Sequence, residues 1–233
     1  MNAVKKIFSI LLATAVVVSL FSCAGKDVDE NDPAALYKEA EEEIEDEHYQ
    51  MALDKFRTVK NKFPYSKYAI DAQMRIADVY FLQESFAEAA QAYESFRDLH
   101  PKHERLPYAM YRIGKSYQQD TPGNIARDLT AAQKALDAYQ EFIRRFPNTP
   151  EATVAKKDIS ELRKTLAEKE LYIGNFYFKR DQPDAARNRF VKLLDAYPET
   201  MAAKEAKIKL DKLNKKTPQK PKKKEPDSNA GTE

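Results

Sequence analysis

The side chains able to do chemistry are few and poorly spaced for catalysis. His48, His100 and His103 are the only histidines, and the last two flank Pro101 with no cysteine or third histidine nearby to complete a zinc set. Cys23 is the single cysteine, so an intramolecular disulfide and a paired-cysteine metal site are both excluded. Serines, aspartates and glutamates are plentiful, but none sits in a nucleophile elbow, a phosphate-binding glycine loop or a histidine-paired zinc motif. No catalytic set can be assembled, and neither enzymatic activity nor a bound metal or cofactor is expected. What remains is the Cys23 thiol, an acidic stretch from Asp27 to Glu47 and a basic one from Lys212 to Lys224.

The thiol gains meaning from what precedes it. Lys5 and Lys6, an apolar run from Ile7 to Phe21 and then Ser22 follow the plan of a secretory signal peptide, too short to favour a spanning helix. Leu20-Phe21-Ser22-Cys23 resembles a bacterial lipobox. That resemblance implies residues 1–22 as a lipoprotein signal peptide, a diacylglyceryl group on the Cys23 sulfur and an acylated amine on Cys23 as the first mature residue. An ordinary signal peptide that ends near a cysteine is the alternative. Residues 23–33 are polar and acidic, with too little apolar surface to offset chain entropy, and are expected to be a flexible tether. From Glu39 to Glu47 the carboxylates are interleaved with Tyr37, Ala40 and Ile44 at helical spacing, which suggests a solvated helix face; a metal or partner site is the alternative.

The elements that carry these residues are read from four stops: Phe63-Pro64, His100-Pro101, Phe146-Pro147 and Tyr197-Pro198. Twelve, eight and five residues before each proline stand Ala52, Phe56, Val59; Ala89, Tyr93, Phe96; Ala135, Tyr139, Phe142; and Ala186, Phe190, Leu193. Spacings of four and three put each trio on one helix face, and the proline ends the helix because it lacks an N–H and clashes with the preceding turn. Upstream, Ala40, Ala77, Gly114 and Gly174 occupy one repeat position, the last three followed three residues later by Tyr80, Tyr117 and Tyr177. With 42% hydrophobic side chains, five glycines and hardly any alternating β-branched runs, the fold class is all-α. The repeat near 34 residues suggests a tetratricopeptide-like helix-pair solenoid of about four repeats.

The prolines step by 37, 46 and 51 residues. Nine of the extra residues fall at Asp120-Thr121-Pro122-Gly123-Asn124, a turn signal that predicts a long loop in the third pair. Fourteen fall after Pro147, where Ala152 to Lys179 contains no proline and keeps a stripe through Val154, Ile159, Leu162, Leu166, Leu171 and Ile173; one long helix is predicted. Met201 to Leu213 has the apolar positions of a C-terminal capping helix. The expected organisation is repeats 1–2 over 34–106, repeats 3–4 with the cap over 107–214, and a disordered Lys/Pro-rich tail over 215–233. The net charge of +2 does not indicate nucleic-acid binding.

The combination resembles the BamD family of outer-membrane protein assembly lipoproteins. The resemblance is carried by Tyr65-Ser66-Lys67-Tyr68-Ala69, by Tyr108-Ala109-Met110-Tyr111-Arg112-Ile113-Gly114, by Phe146-Pro147-Asn148-Thr149 and Leu162 to Glu170, and by Phe176 to Arg180 through Asn188-Arg189 to Tyr197-Pro198. It implies a lipid-anchored adaptor on the periplasmic face of a Gram-negative outer membrane. Its implied partners are a BamA-like barrel with POTRA domains and unfolded outer-membrane protein precursors. Arg189 stands where the family pairs an arginine with an acidic residue of a POTRA domain; a solvated surface arginine is the alternative. The repeat frame puts Tyr37, Glu41, Met74, Asp78, Tyr108, Tyr111 and Lys115 on the first-helix face, a candidate concave groove for a precursor peptide. Accessory assembly lipoproteins are a further implied partner class, through a last helix that this chain lacks after Leu213. A secretin pilotin or a peptidoglycan-synthesis or cell-division coordinator is the competing reading.

Overall fold

The computed structural model describes residues 29–216; Cys23, the signal-peptide segment and most of the Lys/Pro-rich tail lie outside them. The described residues are helical without strands, in the order α1 Pro33–Glu45, α2 Tyr49–Lys62, α3 Lys67–Leu82, α4 Phe86–Leu99, α5 Leu106–Gln119, α6 Thr130–Arg145, α7 Pro150–Lys179, α8 Pro183–Ala196 and α9 Met201–Lys216. They divide into two compact units, one up to Ala72 and one from Gln73 onward, the division falling within α3.

All twelve residues counted back from the prolines are at most 1% exposed. Each of those helices ends in the same way. Phe63, His100, Phe146 and Tyr197 have φ between −126° and −137° with ψ between 49° and 57°, and each backbone N–H still bonds the carbonyl four residues back. The following proline excludes its predecessor from the helical region, and these residues are accordingly displaced from it.

The turns inside the pairs follow a second rule. Glu47, Glu84 and Asp181 have φ of 60°, 59° and 54°, the left-handed conformation that usually selects glycine. In each turn two backbone N–H groups reach back to the preceding helix: Glu47 to Ile44 and His48 to Glu43, Glu84 to Phe81 and Ser85 to Tyr80, Asp181 to Phe178 and Gln182 to Tyr177. These paired hydrogen bonds close α1, α3 and α7 over a tight turn. The third pair breaks the rule, because residues 120–129 form the loop expected between α5 and α6.

Glycine inside α5 and α7 is explained by close approach. A Cβ on Gly114 would lie 2.5 Å from the Tyr139 ring of α6, and one on Gly174 would collide with the Phe190 ring of α8. Where the first helices carry Ala40 and Ala77 at that position, both are fully buried. The long helix forms over 30 residues with Thr149 before it and proline at its first position. Its buried stripe differs in part from the expected one. Leu162 and Leu166 are buried, but Val154 is 48% exposed, and the stripe runs instead through Ala152, Ala155, Ala167, Glu170 and Gly174. Small residues there let α6, α8 and α9 approach the long helix closely. The cap α9 starts on Thr200, whose hydroxyl accepts from the Ala203 N–H at 3.2 Å.

Candidate functional site

In the first unit, Tyr37 of α1 packs edge-on against Phe56 at 5.2 Å and tilted against Tyr68 at 5.5 Å. It is half-buried, as is Glu41 one turn later. The acidic stretch is less solvated than its composition suggests. Lys55 of α2 pairs with Glu39 at 2.8 Å and lies 3.9 Å from Glu43, which also meets His48 at 3.0 Å. Those carboxylates fasten α1 to α2, while Glu45, Asp46 and Glu47 stay exposed.

The second unit corrects the expected groove. Met74 is completely buried, so the thioether fills the core and cannot line an open surface. Asp78 is 4% exposed and is already engaged. Its Oδ1 accepts from Tyr93 at 2.5 Å and Tyr108 at 2.8 Å, and its Oδ2 accepts from Arg75 at 2.9 Å with Arg105 3.8 Å away. A buried carboxylate is tolerated when hydrogen bonds and cations surround it, and that requirement draws tyrosines and arginines from three helices onto one residue. Burial, and after it the Asp78 charge, raises the Tyr93 and Tyr108 hydroxyl pKa values, keeping both phenols protonated as donors.

A second network follows one pair later. The Tyr139 hydroxyl lies 2.9 Å from Gln118 of α5 and 3.3 Å from Asp158 of α7, and Lys115 lies 3.9 Å from the same aspartate. Burial and Asp158 likewise raise the Tyr139 pKa. Tyr111 packs at 5.9 Å from Tyr139 and 5.8 Å from Phe142. Tyr108, Tyr111 and Lys115 are therefore half-buried residues on one stretch of α5.

Arg189 of α8 donates to Glu170 of α7 at 3.2 Å, and Lys192 meets the other oxygen of that carboxylate at 2.5 Å. Glu170 is 8% exposed, whereas the Arg189 side chain is 38% exposed. Nearby, Arg163 holds Glu199 with two bonds of 2.6 and 3.0 Å and also donates to the Ala196 carbonyl, tying the long helix to the turn before α9. That pairing keeps the Glu199 pKa below the usual carboxylate range.

Sequence reasoning missed Arg75, Arg105 and Arg112 around Tyr93, as well as Asp158 and Glu170. One signal was present: the aromatic eight residues before the proline is tyrosine in the second and third pairs and phenylalanine in the first and fourth. A buried hydroxyl needs a partner, so those two pairs had to contain polar clusters. His100 is the C-cap of α4, packed against Phe96 and hydrogen-bonded to Gln73 at 3.0 Å. Among the described residues no three His, Cys, Asp or Glu side chains converge as metal ligands, and no helix is long and apolar enough to cross a membrane.

With the geometry in place, comparison with known proteins adds the family. The sequence profile described as "Outer membrane lipoprotein", YfiO, matches residues 29–227. The outer membrane protein assembly factor BamD of Neisseria gonorrhoeae is 29% identical over 224 residues, covering 89% of this chain and 84% of the relative. The BamD of Rickettsia prowazekii is 30% identical over 209 residues, covering 88% and 82%. Among solved structures, a thermophilic TPR protein of Thermus thermophilus is similar with a TM-score of 0.41 at 14% identity, over 78% of this chain and 98% of that one.

Proposed function

The chain belongs to the YfiO family of outer membrane lipoproteins, and from that premise we propose that it is a non-enzymatic, lipid-anchored adaptor in the assembly of outer-membrane β-barrels. The observation that carries this reading is the similarity to BamD relatives over most of both chains. Cys23 is the anchor in this proposal. Each buried CH₂ contributes about 0.8 kcal/mol and one acyl chain gives only marginal binding, so three chains on one residue suit stable attachment to the periplasmic face of the outer membrane.

Two kinds of contact divide the work. Arg189 is the contact for an acidic side chain of a POTRA domain of a BamA-like barrel. Lys192 already holds Glu170, so the partly exposed Arg189 is able to swing outward without leaving a buried carboxylate unpaired. Its planar guanidinium then offers a bidentate bond to the partner. Unfolded barrel precursors are received through first helices, in each unit separately. Tyr37 and Glu41 on α1 of the first unit, and Tyr108, Tyr111 and Lys115 on α5 of the second, present aromatic area beside charge, a combination that suits extended peptides. Met74 and Asp78 have no part in it as contacts.

Affinity capture from native outer membranes tests the reading. A POTRA-containing barrel is expected to copurify and to be lost on Arg189→Glu. Capture of a secretin or of a cell-wall synthase in its place overturns the assembly role.

A further inference from the structure

We infer that Arg112 is a receptor for a peptide carboxylate, fixed in orientation by the network around Tyr93; the inference rests on the reading of the α5 face as a precursor surface. The guanidinium lies over the Phe81 ring at 3.7 Å, with the Tyr93 and Tyr108 rings at 5.6 and 5.7 Å. Its Nε donates to the Tyr93 hydroxyl at 3.1 Å. That hydroxyl in turn donates to Asp78. Stacking fixes the plane of the guanidinium, and the Nε bond fixes its rotation within that plane.

The charge of Arg112 has been left without a carboxylate. Asp78, the acid of this network, takes Tyr93, Tyr108 and Arg75, and its remaining cation neighbour is Arg105. Among the described residues Arg112 has aromatic faces and one hydroxyl as partners, and neither neutralises it. Its two Nη groups keep their donors, side by side, in the geometry that accepts both oxygens of a carboxylate. Arg112 is half-buried and lies on α5 between Tyr108 and Lys115, next to Tyr111. A peptide whose apolar side chains rest on Tyr108 and Tyr111 would bring a carboxylate within reach of it. Because the guanidinium is already ordered and partly desolvated, little further ordering is needed on binding.

The test uses the full mature chain and two fluorescein-labelled decapeptides of alternating aromatic and aliphatic residues. One has an internal aspartate and a free C-terminal carboxylate, the other asparagine and a C-terminal amide. Fluorescence anisotropy is expected to give about tenfold tighter binding of the first, on the scale of one charged hydrogen-bond pair. The preference should vanish in Arg112→Gln and shrink in Arg112→Lys, which keeps the charge without the planar pair of donors. Peptides bearing one carboxylate each then identify whether the chain end or the side chain is bound. Thermal unfolding of both variants close to the parent shows that the fold survives. If Arg112→Gln retains the preference, or the parent binds both peptides equally with Tyr108→Ala weakening both, the carboxylate receptor is wrong and the peptide surface stands. If neither peptide binds, both readings fail.

Discussion

At the scale of single residues, conformational exceptions in this chain have local causes that substitution can expose. Gly114 and Gly174 sit where a neighbouring aromatic ring lies against the helix backbone. Gly114→Ala is expected to destabilise the protein by about 1–3 kcal/mol in urea unfolding, because Tyr139 is fully buried and anchored to Gln118 and has nowhere to retreat. Glu84 presents the opposite case, a side chain in a conformation that glycine adopts freely. Glu84→Gly should raise stability by ~0.5–1 kcal/mol, since relief of the left-handed strain exceeds the added chain entropy. His100 supplies a pH signature. Burial, and after it the neighbouring His103, lowers its pKa, so the unfolded chain binds the proton more readily than the folded one. Its contribution is intact above the ordinary histidine value of about 6.5 and is lost as pH falls below it. His100→Phe, which copies the cap residue of two other helices, should flatten the fall in melting temperature between pH 7 and 5.

At the scale of elements, the unevenness of the repeats is what builds the surfaces. The 120–129 loop is held to the long helix by Lys169, whose ammonium donates to the Ala126 and Arg127 carbonyls at 3.1 and 2.7 Å. Lys169→Met should leave global stability within about 1 kcal/mol while speeding proteolysis in this loop, since two exposed charge-assisted bonds are lost and no core is disturbed. The proline-terminated ends of the second helices, the twelve core positions, the loop and the long helix were legible from proline spacing, because helix termination and 3.6-residue periodicity are local properties. The polar clusters were not. Asp78 reads as a surface residue by type and by frame, and only the meeting of α3, α4 and α5 shows that it is buried beneath Tyr93, Tyr108 and two arginines. Met74 failed for a related reason: methionine suits both a core and a binding surface, and sequence periodicity does not distinguish them. Arg189 was visible as a residue, but its pairing with Glu170, nineteen positions earlier on another helix, was not.

At the scale of the whole molecule, the chain combines packed helix pairs with charged side chains that are themselves tied into networks, and no three His, Cys, Asp or Glu side chains converge as metal ligands among the described residues. Such a construction suits holding partners. In the proposed role Cys23 positions the chain at the membrane, Arg189 faces the barrel insertase and the α5 face takes the incoming precursor. The most direct test of that central claim is the rate at which a radiolabelled barrel precursor folds in liposomes containing the POTRA-bearing insertase, measured with and without this lipidated chain. Heat-resistant folded barrel should accumulate several-fold faster when the chain is present, and the gain should disappear with Arg189→Glu. An unchanged rate on adding the chain, with the insertase itself active, would contradict the account.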